Sequence, residues 1–317
     1  MFPEYRENDV SVLTFNLTWN CPVRCSYCYR AMTVSQSNKD TLKIESLIKE
    51  CKIASEYGIK EYRFSGGEPT SLGNALFEYA DVVFSITGQK PVLMTSGYHI
   101  DDAWLAKARG KFSAIAVSVE NPLEPLQKVV NNKRILEIIR QNTCDELPLS
   151  YGLTMITADH FKNIPQIFDL LYENVDKKFY PQLDYPCLKS LVEPSHTQLE
   201  ELRESTAHVY KNYGVIPYYF VYLVGSLLWL EEDCRRVNIN LHPEGNYQIY
   251  DSLLERWQVE YRWQNYVLDQ QSTSAICNKC EWLDSCKHHP FWDLRYDWCK
   301  IRKSLFEGIY QGLNIEQ

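Results

Sequence analysis

One short stretch decides the fold of this chain: Trp19-Asn20-Cys21-Pro22-Val23-Arg24-Cys25-Ser26-Tyr27-Cys28. The residues just before it, 10–18, are rich in β-forming side chains, which predicts a first strand followed by a loop. Three cysteines within eight residues can converge on one metal centre, and thiolates are the ligands of iron–sulfur clusters. Three ligands leave one iron of a [4Fe–4S] cluster open to bind another molecule. A zinc knuckle with a fourth ligand elsewhere is the alternative at this spacing.

Outward from this stretch, strand-like and helical segments alternate over the first two-thirds of the chain. Repeated strand–helix units predict an α/β fold with a parallel sheet, either open or curled into a barrel. Further strands are predicted at 61–65, 91–95, 113–119, 149–157 and 178–183. Helices are predicted at 40–57, 74–87, 101–109, 126–140, 159–172 and 197–213.

Polar and glycine-rich motifs follow several of these strands. Gly66-Gly67-Glu68-Pro69-Thr70 follows the second strand and Ser96-Gly97 follows the third, while Ser118 and Glu120 lie at the end of the fourth. The carboxyl ends of parallel strands meet at one edge of a sheet, where functional loops gather. We therefore expect these motifs to share one face with the cysteine loop.

The cysteine spacing and the Gly-Gly-Glu-Pro motif together resemble the radical S-adenosylmethionine (AdoMet) superfamily. Its signature is C-x3-C-x-aromatic-C after the first strand, with Tyr27 here as the aromatic residue. The resemblance covers roughly residues 10–185 and implies a partial (β/α)6 barrel. It implies that Cys21, Cys25 and Cys28 hold a [4Fe–4S] cluster whose open iron chelates AdoMet. Cleavage of AdoMet then gives a 5′-deoxyadenosyl radical that abstracts a substrate hydrogen.

The same resemblance implies which residues surround AdoMet. Glu68 and the backbone of Gly66 and Gly67 suit the positively charged amino group, because glycine allows close backbone approach. Tyr27 resembles the position that touches the adenine region. The polar positions near the ribose and methionine are matched by Ser96, Ser118 and Glu120. Ordinary local roles are the alternative, since Ser-Gly pairs form turns and hydroxyls at strand ends often bond nearby backbone.

A second cysteine cluster stands near the C-terminus and reads C-x2-C-x5-C-x12-C, formed by Cys277, Cys280, Cys286 and Cys299. Four thiolates can fully ligate a second cluster or a structural zinc. The spacing resembles the SPASM extension of radical AdoMet enzymes, but Tyr250 and Pro290 stand where that family has two further cysteines. The resemblance implies one auxiliary [4Fe–4S] cluster. We expect the barrel over residues 1–190 and this smaller auxiliary-cluster domain over residues 191–317.

Three other cysteines have separate interpretations. Cys51 falls on the apolar face of its helix, which predicts a core position. Cys187 follows the sixth predicted strand. In the SPASM resemblance Cys234 matches a cluster ligand, but Tyr250 and Pro290 replace its partner cysteines and leave it without a cluster. Either of these two cysteines is a candidate hydrogen-atom donor to a substrate radical. A buried inert thiol is the alternative for both, because cysteine is among the most buried residue types.

Composition excludes several classes of partner. The net charge is −8 and no basic run stands out, so we expect no nucleic-acid partner. No run of about eighteen apolar residues exists, and the first nine residues lack the apolar core of a signal peptide. We therefore expect a cytoplasmic protein without a membrane partner. In such a chain, clustered cysteines indicate metal chemistry more often than disulfides.

The SPASM resemblance implies a ribosomally made peptide as substrate, changed by cross-linking, desaturation or epimerisation. Only about nine residues precede the first strand, so we expect no separate leader-peptide-binding domain. Small-molecule chemistry, such as dehydrogenation or epimerisation of a sugar or cyclitol, is the main alternative. A non-enzymatic metal scaffold is disfavoured by the Gly-Gly-Glu-Pro motif. An external electron donor such as flavodoxin or ferredoxin is expected in either enzymatic case.

Overall fold

A computed structural model describes the chain at residues 10–23, 25, 28, 40–56, 59–119, 123, 132–151, 153–155, 157–172, 182–184, 194–213, 236–244, 247–251, 256–260, 304, 307–308 and 311–312. The strands are β1 Val10–Thr18, β2 Glu61–Gly66, β3 Val92–Thr95, β4 Ala114–Val117, β5 Leu149–Tyr151, β6 Leu153–Met155, β7 Gln182–Asp184, β8 Arg236–Leu241, β9 Tyr247–Asp251 and β10 Arg256–Glu260. The α-helices are α1 Ile44–Glu56, α2 Ala75–Thr87, α3 Asp102–Ala108, α4 Asn132–Asn142, α5 Ile164–Tyr172 and α6 His196–Tyr213. Two 3₁₀ helices span Pro69–Leu72 and Ala158–Asn163.

Among the described residues, eight strands form the main sheet in the order β10-β9-β8-β1-β2-β3-β4-β5. Strands β1 to β5 run parallel to one another, and β8 pairs in parallel with the other side of β1. The hairpin of β9 and β10 then adds antiparallel strands beyond β8. Strands β6 and β7 form a separate parallel pair. The predicted α/β fold with a parallel sheet is confirmed.

The core lies where the helices cover the sheet. Strand β1 is buried on both faces, as expected for a central parallel strand, with Phe15 and Asn16 both nearly inaccessible. The Phe15 ring packs edge-on against Phe64 of β2, with centroids 6.2 Å apart. Helix α1 packs its apolar face into this core through Leu47 and Cys51, so the predicted core position of Cys51 is confirmed.

Two predicted elements need correction. The segment 149–157 is not one strand: β5 pairs with β4 while β6 pairs with β7 in the second sheet. Gly152 stands between them in the sequence, and glycine inside a strand pattern marks a weak point. The helix expected from 159 begins with a 3₁₀ segment and becomes α-helical only at Ile164. Pro165 explains this start, because proline is tolerated in the first turn of a helix but not in its interior.

The sheet continues into the last third of the chain. Strands β8 to β10 come from beyond residue 190, and they extend the sheet from its first strand rather than from its last. The division at residue 190 stays a prediction. In the described part of the chain, none of the helices has the length and apolar character needed to cross a bilayer.

Candidate functional site

The three N-terminal cysteines lie on the loop that leaves β1. Cys21, Cys25 and Cys28 are each partly exposed. The N–H of Cys28 donates to the carbonyl of Cys25 at 3.2 Å, and the thiol of Cys21 donates to the carbonyl of Val23 at 3.1 Å. Among the described residues, no three His, Cys, Asp or Glu side chains are gathered into a metal-ligand group. The structure thus brings the cysteines onto one loop without closing their sulfurs around a common point.

The donor set nevertheless fits a [4Fe–4S] cluster. Thiolates are the ligands that such clusters take, and three of them leave one iron available to another ligand. Cys21, Cys25 and Cys28 are partly exposed, so none of the three is committed to the hydrophobic core. These three side chains would hold the cluster at the carboxyl edge of the sheet.

The backbone of the Gly66-Gly67 motif packs directly against the segment that leads into Cys21. The N–H of Gly67 donates to the carbonyl of Thr18 at 2.6 Å, and the N–H of Glu68 donates to that of Asn20 at 2.8 Å. A Cβ on Gly67 would lie 2.5 Å from the oxygen of Asn20, and one on Gly66 would lie 2.6 Å from the oxygen of Thr18. A side chain at Gly67 would displace the segment that leads into Cys21, and one at Gly66 would displace the end of β1.

The carboxylate of Glu68 is buried, with 1% of its surface exposed, and it joins two neighbouring loops. Its Oε1 accepts hydrogen bonds from the N–H of Thr70 (3.0 Å), the hydroxyl of Thr70 (2.6 Å) and the hydroxyl of Thr95 (2.6 Å). Its Oε2 accepts from both the N–H and the hydroxyl of Ser96, the former at 2.8 Å. Such a carboxylate holds the loop after β2 to the end of β3.

Ser118 lies one strand further along the same edge. Its N–H donates to the carbonyl of Thr95 at 2.8 Å, and its side chain is exposed. The structure therefore brings the cysteine loop, Gly66, Gly67, Glu68, Ser96 and Ser118 to one edge of the sheet. Their individual roles toward AdoMet stay predictions.

Several predicted site residues lie outside the described part of the chain. These are Tyr27, Glu120, Cys187, Cys234, Cys277, Cys280, Cys286 and Cys299. The auxiliary cluster and the two candidate hydrogen-atom donors accordingly stay predictions.

Sequence reasoning missed the residues that approach this site from β8. Residues 242–244 follow β8, and because β8 is parallel to β1 they emerge at the same edge as the cysteine loop. His242 contacts Asn16, and Glu244 contacts Trp19. The available signal was the strict alternation of Val237, Ile239 and Leu241 with asparagines, which is typical of a half-buried strand.

Comparison with known protein families identifies the first half of the chain. The sequence profile of the radical SAM superfamily matches residues 15–170, which run from within β1 into α5. Residues 15–170 of this chain form a radical SAM domain. The earlier resemblance is therefore confirmed, and the superfamily takes AdoMet and a [4Fe–4S] cluster as cofactors. The radical SAM domain contains both the cysteine loop and the Gly-Gly-Glu-Pro motif.

Individual relatives of this radical SAM chain are distant. It is 26% identical over 170 residues to the probable GTP 3′,8-cyclase of Methanothermobacter thermautotrophicus, which is 52% of this chain and 54% of that protein. It is 25% identical over 166 residues to the PqqA peptide cyclase of Bradyrhizobium diazoefficiens, 50% of this chain and 42% of that protein. The chain thus spans about half the length of the curated relatives it matches.

Among solved structures, the fold is similar to native anSMEcpe with bound AdoMet and Cp18Cys peptide. The TM-score is 0.66 at 18% identity, over 97% of this chain and 99% of that chain. At that identity the likeness concerns the fold alone. It extends well beyond residues 15–170 of the radical SAM domain.

Proposed function

We propose that this radical SAM enzyme modifies a ribosomally made peptide. The observation that carries the proposal is the extent of the fold likeness to anSMEcpe, a protein solved with a bound peptide. That likeness covers 97% of this chain and so includes residues beyond the radical SAM domain. The similarity to a PqqA peptide cyclase adds sequence support within the domain itself.

In this proposal the residues at the carboxyl edge of the sheet have separate roles. Cys21, Cys25 and Cys28 hold the [4Fe–4S] cluster, which together with AdoMet supplies hydrogen-atom abstraction when bound. The missing side chains of Gly66 and Gly67 let their backbone pack against Thr18 and Asn20, beside the cysteine loop. Polar groups of that same backbone are the proposed contact to the AdoMet amino group. The carboxylate of Glu68 holds the Gly-Gly-Glu-Pro motif to the end of β3 through Ser96. Tyr27, Ser118 and Glu120 are proposed contacts to the adenine, ribose and methionine groups. An external donor such as flavodoxin or ferredoxin supplies the electrons.

The substrate radical is proposed to end in a net oxidation. After one hydrogen atom has been abstracted, one auxiliary [4Fe–4S] cluster held by Cys277, Cys280, Cys286 and Cys299 would accept one electron from the substrate radical. A proton would leave to solvent in the same step, giving a cross-link or a desaturation. Hydrogen return from Cys234 or Cys187 would instead give an epimer. We favour oxidation because a complete set of four cysteines is a more specific signal than a lone thiol.

A small-molecule substrate is the second candidate, and one observation favours it. The chain also matches the probable GTP 3′,8-cyclase of M. thermautotrophicus, a protein named for a nucleotide. That match covers 52% of this chain, whereas the likeness to anSMEcpe covers 97%. The peptide is therefore the stronger proposal, with a sugar or cyclitol as the alternative.

The test is product mass in deuterated water. The gene's neighbourhood is first searched for a short precursor peptide, and the reconstituted enzyme is then incubated with AdoMet, a reductant and any peptide found there. A cross-link or desaturation lowers the peptide mass by two hydrogens, while epimerisation keeps the formula and adds one deuterium. If deuterium enters, and Cys234→Ala or Cys187→Ala stops its entry while AdoMet cleavage continues, oxidation is wrong. An unchanged peptide in the presence of active AdoMet cleavage would overturn the peptide proposal.

A further inference from the structure

The turn after β8 contacts the end of β1 through three side-chain interactions. The indole N–H of Trp19 donates to Oε1 of Glu244 at 2.5 Å. The amide of Asn16 donates to Nδ1 of His242 at 3.0 Å. The rings of Trp19 and His242 face each other with centroids 5.2 Å apart and a tilt of 34°. All three contacts join residues more than 220 positions apart in the sequence.

The sheet explains why these residues meet. The parallel pairing of β1 and β8 puts Phe15 opposite Leu241, so Asn16 and His242 follow as the next pair at the carboxyl edge. Trp19 is only 1% exposed, so its indole N–H cannot bond to water and needs an acceptor within the protein. The carboxylate of Glu244 provides that acceptor, and hydrogen bonds to charged groups are stronger than neutral ones.

The segment 18–20 is therefore held from two sides. On one side the N–H groups of Gly67 and Glu68 bond to the carbonyls of Thr18 and Asn20. On the other side the turn 242–244 holds the side chain of Trp19. Cys21 is the next residue along the chain. Its backbone direction is set by a segment whose main chain and side chain are both fixed.

We propose that His242 and Glu244 are positioning residues for the cluster loop: by fixing Trp19 they set the direction in which Cys21 leaves β1. The last third of the chain would then contribute to the radical SAM site through this contact. The inference rests on the radical SAM assignment of Cys21 and does not depend on whether the substrate is a peptide.

The first test measures amide hydrogen exchange in the full-length protein, with and without reconstituted iron. The N–H groups of Trp19 and Asn20 are bonded to Asp40 and Thr18, so both report on this segment. Glu244→Ala should speed exchange at residues 19–21 about tenfold, with the rest of β1 unchanged. Trp19→Phe keeps an aromatic ring but removes the N–H, and it should give the same local change. The double variant should add little, because both changes remove one interaction.

The second test separates positioning from mere support of the fold. Glu244→Gln retains an acceptor oxygen and should restore most of the protection. In the reconstituted protein, Glu244→Ala should alter the electron paramagnetic resonance signal of the reduced cluster on addition of AdoMet while iron content stays the same. Glu146→Ala, at an exposed glutamate of a distant turn, is the matched control and should change neither reading.

Two results would overturn the proposal. One is unchanged exchange at residues 19–21 in both Glu244→Ala and Trp19→Phe. The other is an equal increase over every strand, which would mean global destabilisation. Failure of the wild-type protein to bind iron would instead count against the radical SAM assignment of the cysteines. The exchange measured without iron would still test whether Glu244 fixes residues 19–21. Absence of a modified peptide affects neither measurement.

Discussion

Ser96 donates two hydrogen bonds to the same carboxylate oxygen of Glu68, one from its backbone N–H at 2.8 Å and one from its hydroxyl. Thr70 and Thr95 donate to the other oxygen, so the carboxylate as a whole accepts both from its own motif after β2 and from the end of β3. Because the carboxylate is buried and fully engaged, its main physical effect is to lock the end of β3 to the motif after β2. Any effect of Glu68 on AdoMet binding would therefore act mainly by keeping the end of β3 and the motif after β2 in position.

Replacing Glu68 by glutamine should weaken AdoMet binding while leaving the cluster spectrum intact. A glutamine has only one acceptor oxygen, so the N–H of either Thr70 or Ser96 would face an NH₂ group and lose its partner. Hydrogen bonds to charged groups contribute about 1.5–3 kcal/mol, which corresponds to a loss of roughly tenfold or more in affinity. Equilibrium dialysis with the reconstituted protein measures the change.

The matched control for that variant is Glu78→Gln, at an exposed glutamate of helix α2. It should bind AdoMet like the wild type. Wild-type affinity in Glu68→Gln would remove Glu68 from the binding site, and loss of the cluster spectrum would assign it to the cluster loop instead.

Gly67→Ala should displace the cysteine loop. The new Cβ would lie 2.5 Å from the carbonyl oxygen of Asn20, and because both groups are backbone-fixed the loop has to move. Overpacking of this kind costs about 1–3 kcal/mol of folding stability, and iron incorporation should fall with it. Denaturant unfolding and iron analysis measure the two effects.

Gly88→Ala is the control for Gly67→Ala, because it introduces backbone strain without a steric clash. Gly88 has a φ of +71° with no atom within 4 Å of an added Cβ, so alanine there meets strain without a clash. It should lower stability by roughly 1 kcal/mol and leave iron content unchanged. Full iron loading and normal stability in Gly67→Ala would show that the loop does not depend on this contact.

The first four strands and their shared edge could be predicted because the patterns that specify them lie within short stretches of sequence. Apolar patterns mark each strand, and the motifs at Cys21, Gly66 and Ser96 follow strand ends directly. Parallel pairing then brings those ends together without further information. The glycines were expected to allow close approach to AdoMet. The structure shows a close approach of another kind, between Gly67 and Asn20.

What escaped prediction depends on pairings between distant segments. The parallel pairing of β8 with β1 joins residues such as Leu13 and Ile239, and no local pattern specifies that partner. The contact of Trp19 with Glu244 follows from the same pairing. The prediction of one strand over 149–157 was wrong for a related reason. The apolar pattern of this segment is the same whether it pairs with one neighbouring strand or, as found, with β4 and β7 in two different sheets.

Alkaline pH should destabilise the protein through Cys51. Burial raises the pKa of this thiol from 9.0 to about 12, and the neighbouring Glu50 carboxylate adds to the rise. The unfolded chain therefore loses this proton at a lower pH than the folded protein does. The stability linked to Cys51 is fully present below about pH 9 and declines toward pH 12, by up to about 1.4 kcal/mol per pH unit.

Cys51→Ala should flatten that decline between pH 9 and 10, measured by urea unfolding under reducing conditions. Above pH 10 a decline should remain even in the variant, because burial raises the pKa of Tyr62 from 10.0 to about 12, with the nearby Cys51 adding to the rise. Cys144→Ala, at an exposed cysteine, is the control and should keep the wild-type slope. Parallel profiles for wild type and Cys51→Ala would contradict the assignment.

Iron content distinguishes one cluster from two. A chain with a cluster at Cys21, Cys25 and Cys28 and a second at the C-terminal cysteines should hold about eight irons after anaerobic reconstitution, since each [4Fe–4S] cluster has four. Changing Cys21, Cys25 and Cys28 together to alanine should leave about four and abolish AdoMet cleavage. Changing Cys277, Cys280, Cys286 and Cys299 should also leave about four, but AdoMet cleavage should persist because the first cluster remains. Stoichiometric zinc with about four irons in the anaerobically prepared wild type would show that the second group of cysteines is a structural zinc site, and the oxidative route through an auxiliary cluster would then be wrong.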